Sequence, residues 1–128
     1  MNKLKLFLLI LFSQFLNYQS IIGAWEKYET NSDGSTHRHV VIFSEGFKST
    51  SVFDSSNGKF ISTNGGSWFL DGSTLTEKIE FDTQDQEKVG STIKFEIDIK
   101  DNTVTNINSG KAWNRIDDGS PGQLNGSW

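Results

Sequence analysis

Few residues in this 128-residue sequence have the type and setting to do chemistry, and Glu77 is the first of them. Alternation places it between Leu75 and Ile79, on a face predicted to point into an apolar interior. A buried carboxylate without a partner is costly, so it takes a cation or keeps its proton. Arg115, on the same face as Trp113, is the expected cation, with a guanidinium fork suited to a carboxylate. Such a pair has three uses: a tie between distant parts of the chain, a grip on a polar ligand group, or general acid–base catalysis by Glu77. No second inward carboxylate is evident, which sets catalysis behind the other two.

His37 and His39 flank Arg38 and put two imidazoles on one strand face, a spacing able to hold a metal. Two ligands do not fill the four positions zinc takes, and the chain has no Cys and no third His. One His could also carry a haem in a small barrel. The expectation is nevertheless no metal and no cofactor, with both histidines on a wall or rim as ligand contacts. Gly-x-Ser-x-Gly, a phosphate loop and a local Ser/His/Asp pattern are all missing from the sequence.

The elements that must position these groups are strands. Period-two alternation recurs between turn signals, and no stretch after the apolar head repeats at helical spacing. Strands are predicted at 23–29, 36–43, 47–53, 59–64, 67–70, 74–82, 92–100, 103–107 and 111–116. Asn31-Ser32-Asp33-Gly34, Asp54-Ser55-Ser56-Asn57-Gly58 and Asp101-Asn102 are among the turns. In 47–53, Phe47 and Phe53 share a face with Ser49 and Ser51, taken here as inward. Connections this short leave no room for crossover helices, so neighbours pair antiparallel as a meander. A long meander removes its edges most easily by closing on itself. The fold expected is all-β, a small antiparallel up-and-down barrel of eight or nine strands, with a β-sandwich as competitor.

Composition narrows the setting. Met1-Asn2-Lys3-Leu4-Lys5 is a basic head before the apolar run 6–12, and polar residues follow at 17–20. That is the pattern of a secretory signal, so 1–20 is expected to be removed and the mature protein to be secreted or periplasmic. The run is shorter than the ~20 residues that span a bilayer, so no integral membrane segment is expected in the mature chain. Loss of Lys3 and Lys5 takes the formal charge from −4 to −6. An acidic chain with scattered cations has no footprint for nucleic acid. Without Cys, the fold rests on an apolar core, to which each large ring contributes ~150–250 Å² of buried surface.

Gly23-Ala24-Trp25 on the first strand, the meander, and Arg115 on the last strand together resemble the lipocalin and wider calycin pattern. Closer still, the chain is similar to secreted bacterial lipocalin-like domains of unknown function. That resemblance rests on Gly58-Lys59-Phe60, Gly65-Gly66-Ser67-Trp68, Thr76-Glu77-Lys78-Ile79, Gly90 and Trp113-Asn114-Arg115-Ile116. It implies that Gly23, Trp25, Trp113 and Arg115 close one end of the barrel. The chain lacks the disulfide, the long lid loop and the C-terminal helix of true lipocalins, so the resemblance implies a fold and no particular ligand.

The domain expected is 21–116. Residues 117–128 are linker-like, and Gly126-Ser127-Trp128 echoes Gly23-Ala24-Trp25, as a second, truncated repeat would. The function expected is a binding module for a small apolar or amphipathic ligand. Glu77, Arg115, His37, His39, Phe43 and Phe95 are the candidate contacts. The alternatives are a packed interaction module acting through its loops or a neighbouring domain, and a hydrolase or isomerase using Glu77.

Overall fold

The computed structural model describes residues 20–119. The expected leader, apart from Ser20, and the echoing Trp128 segment lie outside the described residues. Nine strands run through the rest: β1 (Gly23–Thr30), β2 (Thr36–Phe43), β3 (Phe47–Asp54), β4 (Phe60–Asp71), β5 (Thr74–Lys78), β6 (Phe81–Asp82), β7 (Thr92–Lys100), β8 (Thr103–Asn106) and β9 (Ala112–Arg115). Their order is β3-β2-β1-β9-β8-β7-β5-β4-β6, and β3 also pairs with β4. That last pairing closes eight strands into a ring and leaves β6 alongside β4. Every pairing is antiparallel. The protein is a small all-β up-and-down barrel.

Local chemistry explains the tight corners. Asp101 and Asn102 both take positive φ (51° and 61°), giving the left-handed pair that joins β7 to β8. The core lies where the inward faces meet: Ile21, Trp25, Val41, Phe43, Leu75, Ile97 and Val104 are buried together, with Trp68, Leu70, Phe95, Ile99 and Trp113 packed around them.

Two strand assignments differ from the sequence reading. Residues 59–64 and 67–70 are one twelve-residue strand, β4. Gly65 and Gly66 do not end it; they let it pass close to its neighbours. A Cβ on Gly65 would run into the Lys48 carbonyl oxygen, and one on Gly66 into that of Lys78. Beyond them β4 continues alongside β5. Conversely 74–82 is split into β5 and β6. At the break Ile79 leaves the ladder and exchanges hydrogen bonds with Ser91 (2.9 Å) and Gly90 (2.7 Å).

A third difference is the phase of β3. Val41 pairs with Thr50, Phe43 with Lys48 and His39 with Val52. Directly paired residues share a face, so Lys48, Thr50 and Val52 point inward with β2's apolar row. Ser49 and Ser51 therefore lie on the outside, and Phe47 is half exposed at 50%. The two Phe residues misled because they stand at the ends of the strand, where a ring can lie over the rim.

Candidate site in the barrel interior

The closed end is built around Trp25, 1% exposed, whose indole Nε1 donates to the Ile21 carbonyl at 2.8 Å. β9 runs beside β1 with Arg115 opposite Trp25. Its guanidinium carbon stands 4.2 Å from the Trp25 ring centre, a stacked cation on an aromatic face. The guanidinium donates to the carbonyls of Ile22 (3.2 Å) and Ser20 (2.5 Å) and to Asp117 Oδ1 (3.1 Å). Gly23 passes beneath it at φ +140°, where any side chain would collide with Arg115 and Asp117. Trp113, the fourth residue expected there, is placed differently. It lines the cavity above.

That cavity has a volume of about 160 Å³. Its apolar wall is formed by Trp25, Val41, Phe43, Leu75, Phe95, Ile97 and Val104. Volume of this order, lined by such residues, takes up a molecule the size of benzene. Phe43 is itself fixed by an edge-on contact with Trp68, centroids 5.3 Å apart.

The polar groups reach in from opposite parts of the ring. β5 presents Glu77, 3% exposed, and β3 answers with Lys48, whose Nζ is 2.6 Å from Glu77 Oε2. This corrects the expected pairing of Glu77 with Arg115: the latter is held at the closed end, and the inward phase of β3 supplies the cation. Lys48 also stands 5.9 Å from the Phe43 ring centre. On the other wall, Lys27 of β1 lies 5.0 Å from the centre of the Trp113 ring. Lys27 donates to Glu29 at 2.5 Å, and Lys111 reaches the same carboxylate at 2.8 Å. Hydrogen bonds from Lys111 and then Lys27 hold the Glu29 carboxyl down to about 2.

The two histidines part company. His39 lines the cavity and lies 3.7 Å from Glu29. Burial, and then the charge of Lys27, push its imidazole below the ordinary histidine range. His37 is one pleat further toward the 31–35 turn, opposite Glu29 and Asp54, and is not among the lining residues. Among the described residues no three His, Cys, Asp or Glu side chains gather as a metal set.

Two polar atoms in this interior have no hydrogen-bond partner among the described residues: Glu77 Oε1 and Trp113 Nε1. Both are closed off from water as well, so they are packed against neighbouring protein atoms and are not open to the cavity. Of the expected contacts, Glu77, His39, Phe43 and Phe95 are brought together here, whereas Arg115 and His37 are not. Lys27 and Lys48 are the residues sequence reasoning passed over. The signal for Lys27 was present, since it shares the parity of Gly23 and Trp25 on the first strand.

No family model matches the sequence, no curated protein matches it, and no solved structure matches the fold.

Proposed function

We propose that the protein is an exported, lipocalin-like binding module that holds one small amphipathic molecule inside its barrel. One observation carries this reading: an apolar cavity of about 160 Å³ with the side chains of Lys27, His39, Lys48 and Glu77 set into its lining. A core filled for stability alone has few voids larger than a water molecule, and charged side chains around one cost more to bury than apolar ones. The cavity is too small for a long lipid. A single ring or a short chain with polar ends matches it.

Support for the lipocalin-like part is the stack of Arg115 on Trp25 across the first and last strands of the closed ring. Support for export is the basic head and apolar run at the start of the sequence. Separately, among the described residues no helix is long and apolar enough to cross a membrane. Within the cavity lining Glu77 is the one carboxylate, and it is bonded to Lys48, an arrangement suited to holding a ligand rather than to shuttling protons between two acids.

Native mass spectrometry of protein recovered from its own host tests both parts. The expected spectrum shows a chain beginning near residue 21 and carrying a non-covalent small molecule that denaturation releases. A bare barrel that also takes up no added aromatic or short-chain compound would sink the binding reading.

A further inference from the structure

The charged groups set around the cavity cancel one another, which narrows the ligand class; this step rests on the binding reading above. Lys48 on β3 donates to Glu77 on β5 at 2.6 Å, and Lys27 on β1 donates to Glu29 at 2.5 Å. The two lysine side chains are 14% and 11% exposed, so both charges are held at reduced dielectric. Two withdrawn cations thus meet two carboxylates, one each. Lys111 also reaches Glu29, but its side chain is 51% exposed and its charge is screened by water. His39 adds little, since burial and then the charge of Lys27 push its imidazole toward the uncharged form.

An ionised ligand therefore finds no counter-charge waiting. A carboxylate would have to draw a lysine away from its own carboxylate, and an amine would have to displace a lysine from one. Either exchange strands a buried charge, which is strongly unfavourable. The ring faces on which an organic cation could stack are covered as well. Lys27 lies 5.0 Å from the centre of Trp113, and Lys48 stands 5.9 Å from that of Phe43. An uncharged molecule meets none of these penalties. Val41, Leu75, Ile97 and Val104, all buried, give it an apolar bed in a volume suited to one ring.

We infer that the barrel selects small uncharged ring compounds and turns away carboxylates and amines of the same shape. The pairs Lys48–Glu77 and Lys27–Glu29 set this specificity by neutralising each other around the cavity.

Isothermal titration calorimetry of the full chain at pH 7 with benzyl alcohol, benzoate and benzylamine tests this, because the three share a ring and differ in charge. A charge buried without a partner costs roughly a hundredfold or more in affinity. Benzyl alcohol is therefore expected to bind, and benzoate and benzylamine to bind about a hundredfold more weakly or without detectable heat. Glu77→Gln keeps the side chain's shape and leaves Lys48 without its carboxylate. In that variant benzoate is expected to gain about tenfold against benzyl alcohol, the worth of a hydrogen bond to a charged group. Benzoate or benzylamine matching benzyl alcohol on the unaltered chain overturns the inference, while cavity binding itself stands. A Glu77→Gln protein that folds and gives benzoate no gain overturns the part assigned to the Lys48–Glu77 pair. The titrations of the unaltered chain decide the question even where the variant fails to fold. If none of the three binds, the binding reading falls together with this inference.

Discussion

The closed end and the cavity of this barrel are built from the same materials and finished differently. Both set a cation against an indole: Arg115 over Trp25 below, Lys27 beside Trp113 above. At the closed end the polar atoms are satisfied. The Trp25 N–H has the Ile21 carbonyl, and the Arg115 fork has two backbone carbonyls and Asp117. In the cavity the Trp113 N–H and one oxygen of Glu77 are bare. A satisfied network stabilises one structure, whereas a half-satisfied one is a standing cost. The lower indole is thus anchored at the closed end, and the upper one stands in the cavity lining without a partner for its N–H.

The largest effect expected is at the closed end. Trp25→Ala removes a ring that is 1% exposed and opens a void beneath Arg115, which costs about 3–5 kcal/mol. Urea denaturation reads this as a lower midpoint with little change in slope. A variant of unchanged stability would break the comparison, because Trp25 would then not be the foundation that Trp113 is contrasted with.

Next comes the Lys48–Glu77 pair. Lys48→Met strands Glu77 at 3% exposure, and the loss is about 3 kcal/mol. Adding Glu77→Leu removes the stranded charge and is expected to recover most of it, since an apolar replacement of a buried pair is often neutral or stabilising. The pair then exists for recognition and not for stability. A double variant as unstable as the single one would show that this part of the cavity is structural, like the closed end.

How much of this could be read from the sequence follows the physics of alternation. Where one face is clearly apolar, as in 92–100, strand and face were legible, and a chain of alternating strands with short turns dictates a closed meander. The barrel followed from that alone. The stack of Arg115 on Trp25 was legible through the resemblance to the lipocalin pattern more than through periodicity. What failed was β3, where Phe47-Lys48-Ser49-Thr50-Ser51-Val52-Phe53 gives no dominant face. Its phase is fixed by pairing with β2, a long-range fact that local pattern does not contain. Because Lys48 sits on that strand, the partner of Glu77 was lost with it, and Arg115 took its place by default. Gly65-Gly66 misled for a related reason. A glycine pair reads as a turn, yet here it marks a strand in close backbone contact on both sides.

The smallest effect concerns the cavity's edge and depends on pH. Glu29 is an unusually acidic carboxyl, brought to about 2 from an ordinary 4.5 by Lys111 and Lys27. A folded-state value below the unfolded one means that its contribution is complete above pH ~4.5 and is lost as pH falls toward 2. Because the side chain is 37% exposed, solvent screening holds that contribution to about 0.5 kcal/mol, as for other surface pairs. Glu29→Gln is therefore expected to lower stability slightly at pH 7 and to flatten its fall between pH 4.5 and 2, read by thermal melts across that range. A pH profile that Glu29→Gln leaves unchanged would remove Glu29 from the supports of the barrel, and would leave the boundary between folding and binding at the cavity's rim.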